Sequence, residues 1–176
     1  MEILDTSSII NSRAIPQGAH FTTSPGVVSE LKDKWSQFRV TALLASERIT
    51  VISPKDKYIQ EIISGLQKLG SDLSDVDVEV LALALQFKGG VVVTDDLEMQ
   101  NVAKFLRIKY RPATNHQISV QLRWIAICTG CSRQFSDLES FDLMTCDHCG
   151  SPLKKRARKI RHKSSNSKHK EDNREF

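Results

Sequence analysis

Short apolar runs alternate with longer amphipathic stretches over the first two thirds of the chain, the pattern of strands separated by helices. Glu2-Ile3-Leu4, Ile49-Thr50-Val51-Ile52, Val91-Val92-Val93-Thr94 and a short segment from about Ile108 to Tyr110 read as strands. Ser24-Pro25 opens a helix with Val27, Val28 and Leu31 on its apolar face, because proline is tolerated at the first helical position. A second helix is expected from about Ser36 to Ser46. Ser53-Pro54-Lys55-Asp56 caps a third, in which Ile59, Ile62, Ile63, Leu66 and Leu69 recur with helical period before Gly70 stops it. Ser74 opens a fourth, carrying Val80, Leu81, Ala84, Leu85 and Phe87 up to Gly89-Gly90, and a fifth runs from about Asp96 to Leu106. Strands joined through helices pair in parallel, so residues 1–112 predict an α/β doubly wound sheet with helices on both faces.

Beyond a linker at 113–123 the chemistry changes. Cys128-Thr129-Gly130-Cys131 and Cys146-Asp147-His148-Cys149 are two Cys-x-x-Cys turns, fourteen residues apart, and they contain all four cysteines of the chain. Each turn aims two thiolates at one metal, and two turns complete a closed tetrahedral site that leaves no position for water. A structural zinc ion, one per chain, in a ribbon over 124–153 is the reading; two disulfides or a redox pair are the alternatives. The five histidines show no metal-pair spacing.

Composition bounds the class. With 40% hydrophobic and 26% charged residues over 176 positions, the chain is globular rather than disordered. No apolar run approaches the ~20 residues that span a bilayer, and Met1-Glu2 begins without a basic signal region. No membrane association and a reducing cytoplasmic location are therefore expected, where thiols stay available for metal. The net charge of +4 is unevenly placed: residues 154–176 carry +7 and residues 1–153 carry −3. The run from Lys154 to Lys163 has almost no apolar side chains, which predicts a basic, disordered tail that binds a polyanion by counterion release. Arg133, Lys154, Lys155, Arg156, Arg158, Lys159 and Arg161 are the candidate contacts to such a polyanion, a nucleic acid among them.

In doubly wound sheets the functional crevice lies at the carboxyl ends of the strands. Asp5 and the pair Asp95-Asp96 follow apolar strands directly, while Glu30 and Asp77 lie on neighbouring helices. Each has an ordinary alternative: Asp77 as a capping-box carboxylate, Asp96 as a helix N-terminal charge, Asp5 as a cap, Glu30 as an exposed side chain. Together they suggest a site whose repulsion a divalent cation relieves. Oxygen-only ligands suit Mg²⁺ or Mn²⁺ and the hydrolysis of a phosphodiester. No Gly-rich phosphate loop or Ser/His/Asp signature offers a competing mechanism.

The successive segments Asp5-Thr6-Ser7-Ser8-Ile9-Ile10, Pro25-Gly26-Val27-Val28-Ser29-Glu30-Leu31, Leu73-Ser74-Asp75-Val76-Asp77 with Leu81-Ala82-Leu83-Ala84, and Thr94-Asp95-Asp96-Leu97-Glu98-Met99-Gln100-Asn101-Val102 resemble the motifs of PIN-domain ribonucleases. The added zinc ribbon makes the chain similar to the compact, archaeal form of the Nob-type endonucleases. The resemblance covers nearly all of residues 1–153. It implies four acidic metal-site positions at Asp5, Glu30, Asp77 and Asp96, with Thr94 and Ser7 in support. Asp96 rather than Asp95 fits the Thr-x-Asp pattern, and Asp77 rather than Asp75 lies four residues before Leu81. The implied activity is metal-dependent cleavage of precursor small-subunit rRNA, forming its mature 3′ end in an assembling small ribosomal subunit, with an assembly-factor protein as a further partner. A toxin-like ribonuclease acting on tRNA or mRNA and a non-catalytic rRNA-binding factor are the alternatives.

Overall fold

The computed structural model describes residues 1–11, 15–16, 18–114, 117–136 and 145–160. Five strands, β1 (Glu2–Leu4), β2 (Phe21–Thr23), β3 (Ile49–Val51), β4 (Val91–Val93) and β5 (Lys109–Arg111), form one parallel sheet in the order β3-β2-β1-β4-β5. The chain thus winds outward in both directions from the middle, and the order reverses between β1 and β4. That switch point opens a crevice at the carboxyl ends of these two strands.

The helices are α1 (Thr6–Ile10), α2 (Pro25–Glu30), α3 (Lys34–Ala45), α4 (Asp56–Leu69), α5 (Asp75–Gln86) and α6 (Leu97–Phe105). α5 lies deepest, with Val80, Leu81, Ala82 and Leu83 fully buried on successive faces against Ile3, Leu4, Val92 and Val93 of the two central strands. A helix apolar all round is one covered on all sides. α4 ends as its sequence predicts, with Gly70 in the left-handed conformation at φ 69°. Its start differs: the cap position is Lys55, no side chain caps it, and the Lys55 N–H is taken instead by Gln86 Oε1 at 2.9 Å. Ser53 plays no capping part.

Strand β2 escaped the hydrophobic pattern because Phe21-Thr22-Thr23 has a single apolar residue. Its threonines are nonetheless buried, and Thr23 Oγ1 donates to the Leu4 carbonyl at 2.8 Å, so a tertiary hydrogen bond replaces apolar burial. A second difference concerns the basic run. Residues 154–159, expected in a disordered tail, form most of β8 (Leu153–Lys159), which pairs antiparallel with β6 (Leu122–Cys128) from Leu122 opposite Lys159 to Cys128 opposite Leu153. With β7 (Gln134–Phe135) they make a three-stranded sheet in the order β7-β6-β8. Edge strands are held by backbone pairing, so their side chains need not be apolar. Arg161 and the chain beyond it lie outside the described residues, as do 137–144 between the two thiol turns.

The ribbon is fastened to the larger unit through α6. Asn101, buried to 3% exposure, donates from Nδ2 to the Leu122 carbonyl at 3.0 Å and accepts the Leu122 N–H at 2.9 Å, so its amide acts as a one-residue strand partner. Gln100 donates to the Thr94 carbonyl at 3.0 Å and accepts the Ile118 N–H at 2.9 Å. Trp124 Nε1 donates to Glu98 at 3.0 Å, with Lys155 over the indole ring at 5.2 Å. Substituting Asn101→Ala strands two backbone groups of Leu122, at about 1–3 kcal/mol each if they stay buried. Urea denaturation of this variant is expected to show a loss of about 2 kcal/mol or more, with faster amide exchange in β6; an unchanged midpoint would mean water replaces both bonds.

Candidate active site

Parallel pairing sets the centre of the crevice. β1 and β4 run in register to Leu4 opposite Val93, and Asp5 N–H continues the ladder to the Val93 carbonyl at 3.3 Å. Asp5, only 4% exposed, receives Thr94 Oγ1 at 2.6 Å and Ser7 Oγ at 2.7 Å on the same oxygen, Oδ2. The Thr94 hydroxyl also accepts the Asp96 N–H at 3.0 Å, so one side chain joins the ends of both strands to the start of α6. Asp96 caps that helix through Oδ1, which takes the N–H groups of Glu98 and Met99 at 2.7 and 2.8 Å. Its Oδ2 lies outside those bonds.

Asp77 is both a cap and a neighbour of this centre. Its Oδ2 accepts from Ser74 Oγ at 2.8 Å and from Ser74 N–H at 3.3 Å, completing the capping box of α5. Burial pushes its carboxyl above the usual carboxylate range despite the Ser74 hydroxyl, and the charges of Asp5 and Asp96 push the same way. Asp5 is likewise raised, chiefly by burial, against the lowering effect of Thr94 and Ser7, with Asp96 adding to the rise. Asp5, Asp77 and Asp96 therefore share one negative field. Glu30 stands at its rim, exposed at the end of α2, with Oε2 accepting Thr6 Oγ1 at 2.7 Å. α2 reaches this position because Gly26 lets it press on α5: a Cβ there would meet Glu79 Oε2 at 2.6 Å and Val76 at 2.9 Å.

Asp95 takes a different direction. Its Oδ1 accepts the Thr114 N–H at 2.8 Å, which ties the chain after β5 to the end of β4. Asp75 is exposed in the first turn of α5. Among the described residues, the four thiols are the set of three or more potential ligands gathered tightly enough to hold one ion; the carboxylates stand further apart than the sequence reading supposed. Like charges spread in this way, and a cation that keeps several of its waters needs only one or two direct carboxylates.

Three residues of the site were not singled out by sequence: Thr6, which holds Glu30; Ser8, whose hydroxyl donates to the Val93 carbonyl; and Thr114. A signal existed for the first two. Thr6-Ser7-Ser8 puts three poor helix formers in one helical turn, a choice that makes sense only if each hydroxyl has a tertiary acceptor.

The second centre lies in the ribbon. Cys128 Sγ is 3.3 Å from Cys149 Sγ, Cys131 Sγ is 3.7 Å from Cys146 Sγ, and all four lie within 4.8 Å of one another. These distances are far longer than a disulfide and near the ~3.8 Å between sulfurs at the corners of a tetrahedron with ~2.3 Å bonds to zinc. The N–H groups of Cys131 and Gly130 point at Cys128 Sγ from 3.4 and 3.3 Å and hold its thiol below the usual range. The Ser151 hydroxyl and N–H lower Cys149 to about 6. Against the Arg133 N–H, which lowers it, desolvation and the neighbouring thiols push Cys131 up to about 11. It is therefore the gathering of four sulfurs that suits the centre to an ion such as zinc, which draws each thiol into its thiolate form. Arg133 is exposed beside it, and Lys154, Lys155, Arg156, Arg158 and Lys159 are exposed along β8.

A family profile described as the PIN domain of ribonuclease matches residues 3–87. Endoribonuclease Nob1 of Methanocaldococcus jannaschii is 35% identical over 170 residues, 96% of this chain and 83% of its own length. Endoribonuclease Nob1 of Pyrococcus abyssi is 33% identical over 86% of this chain and 94% of its own. Ribonuclease VapC1 of Thermoplasma acidophilum is 33% identical over 87% of this chain and 76% of its own. With an acid-lined crevice at the switch point of a parallel sheet and a four-thiol ribbon clamped beside it, the chain belongs to the family of PIN-domain endoribonucleases that includes archaeal Nob1.

Proposed function

We propose that this endoribonuclease cuts single-stranded precursor small-subunit rRNA to form its mature 3′ end within an assembling small ribosomal subunit, using Asp5, Glu30, Asp77 and Asp96 as its acidic site. The observation that carries the reading is the physical union of the two centres: α6 begins at Asp96 and, through Gln100 and Asn101, holds the ribbon. A nuclease that must act at one place on a large RNA gains from a second contact at fixed distance. The hard oxygen donors fit Mg²⁺ or Mn²⁺, which when bound supplies an activated water and neutralises charge on the phosphate. The chain's own part is to fix and tune the carboxylates. Thr94 and Ser7 hold Asp5 by one oxygen, Ser74 holds Asp77, the start of α6 holds Asp96, and Thr6 holds Glu30. The similarity to Ribonuclease VapC1 supports a second reading, cleavage of tRNA or mRNA. A short RNA spanning the mature 3′ end, offered beside tRNA, separates the two: preference for tRNA would overturn the rRNA reading, and no cleavage of either would favour a binding factor.

Replacing one group that stabilises charge in a transition state costs roughly 10²–10³ in kcat. Asp5→Asn, Asp77→Asn and Asp96→Asn are each expected to lose that much single-turnover cleavage, whereas Asp95→Asn loses far less; the reverse order for the adjacent pair would reassign the site. Stability should move oppositely. A carboxyl raised in the fold binds its proton more tightly there than in the unfolded chain, so stability falls as pH climbs from the ordinary aspartate value of 3.8 through the raised value. Without divalent metal at pH 7, Asp5→Asn and Asp77→Asn are therefore expected to raise Tm, with the gain vanishing below pH 3.8.

Zinc is assigned to the thiols and the catalytic ion to the carboxylates by softness. Metal analysis of protein purified without chelator should find one zinc per chain. Cys128→Ser should lose it and unfold the ribbon while the parallel sheet still melts cooperatively, since small zinc modules draw much of their folding energy from the ion.

The charge on β8 changes the test for RNA affinity. Five of the ten Lys/Arg residues in 154–176 sit on this strand, with no acidic residue among them. Arg156→Gln with Arg158→Gln should reduce the log–log salt slope of RNA binding by about 0.7 per lost phosphate contact. Deleting 161–176 should reduce it less; the opposite order would place the RNA on the terminal segment.

A further inference from the structure

We propose that Trp35 and Phe38 form a stacking platform for two bases of the single-stranded RNA that runs to the acid site. This inference rests on the reading that RNA is cut there. The two rings are 79% and 72% exposed, the most open large apolar side chains among the described residues. They stand three positions apart on α3, one turn above the other, while Ser36, Val40 and Leu43 bury the opposite face. Among the described residues, neither ring belongs to the hydrophobic core or packs against it.

Their place points to the acid site. α3 leads directly into the start of β3, so it runs against the parallel strands, and its first turn lies at the carboxyl edge of the sheet where Asp5 and Asp96 are found. Trp35 follows Glu30 by five residues. Arg39 reinforces this placement by donating to the carbonyls of Ile9 and Ile10 at 2.5 and 2.6 Å, which anchors α3 to the helix that begins beside Asp5. Around the rings stand Lys32 and Lys34, both exposed, with Asp33, also exposed, between them and engaged in capping α3 through the Ser36 N–H.

Aromatic faces interleaved with cations are the surface that unpaired nucleotides select, because every base has a face to stack and every phosphate a charge to meet. The cations also meet a need: an acidic crevice repels a polyanion, and some positive surface must lie next to it. A second copy of the chain is a poorer occupant. Two aromatic side chains bury at most ~300–500 Å², short of the ~800 Å² per partner of a stable interface, and pairing would bring Lys32 and Lys34 against their copies. Duplex RNA is poorer still, since its bases are already stacked.

The chain has two tryptophans, so Trp124→Phe leaves Trp35 as the sole indole reporter. This protein is titrated with a ten-nucleotide oligouridylate, and with a hairpin duplex as control, in buffer without added divalent metal. Quenching of Trp35 by the single strand but not the duplex is expected. In otherwise unchanged protein, Trp35→Ala and Phe38→Ala are each expected to weaken oligouridylate binding at least 5-fold and to raise KM for cleavage correspondingly, with the saturated rate within 3-fold. Trp35→Phe should recover most of the affinity. Circular dichroism checks that both alanine variants fold, as their exposure implies. Unchanged affinity with unquenched Trp35 would overturn the platform. So would a concentration-dependent dimer in sedimentation that Trp35→Ala dissolves. Failure of the unsubstituted protein to cleave any RNA, with quenching intact, would instead count against the catalytic reading.

Discussion

Everything at the acid site depends on the register in which β1 pairs with β4. Those strands end together, so the first residues beyond them, Asp5 and Thr94, meet side by side, and Thr94 Oγ1 donates to the Asp5 carboxylate at 2.6 Å. A parallel slip of one residue would leave the two side chains on opposite faces of the sheet. The three hydroxyls of Thr6, Ser7 and Ser8 extend the same joint: one reaches Glu30, one Asp5, and one the backbone of β4. Strand pairing thus becomes carboxylate geometry within a single helical turn.

That geometry has an electrostatic cost. Asp5 and Asp77 are pushed above the ordinary carboxylate range because burial and mutual repulsion both disfavour their charged forms. The fold tolerates them because each has a local hydrogen-bond donor whose own place is fixed by a helix start or strand end. A protein of this size, stabilised by only several kcal/mol in total, cannot hold such a cluster without strong packing nearby. The fully buried sides of α5 and the two central strands provide it directly beneath the site.

Much of this was legible in the sequence, and the parts that were not share a physical cause. The parallel sheet, the long helices and the thiol centre follow from hydrophobic period, proline and glycine placement and cysteine spacing. Asp77 shows two readings holding at once, since the capping box at Ser74 is formed and the same carboxylate faces Asp5 and Asp96. Strands β2 and β8 were hidden because neither has an apolar alternation to display: Thr22 and Thr23 are buried by hydrogen bonds, and β8 is held by backbone pairing to β6. Local composition does not carry information of that kind. Likewise Glu98, Gln100 and Asn101 received no role of their own from the sequence, whereas two of the three are buried and all bond to the linker or ribbon.

α6 therefore has two duties that constrain each other. Its first residue is capped by Asp96 at the acid site, and its middle holds β6 of the ribbon, so the separation between chemistry and the cations of β8 is set by a rigid element of nine residues, roughly 14 Å long. The linker does not set that separation, because the amides of Gln100 and Asn101 fix the chain at Ile118 and Leu122 whatever path precedes them. The Thr94 carbonyl, which accepts from Gln100 Nε2, lies on the same residue whose hydroxyl holds Asp5. Any displacement of the ribbon that pulls on Gln100 is consequently felt at the strand end that carries the acid site. The cations of β8 and the arrangement of the carboxylates are in this way parts of one hydrogen-bonded framework, which is the property the proposed function draws on.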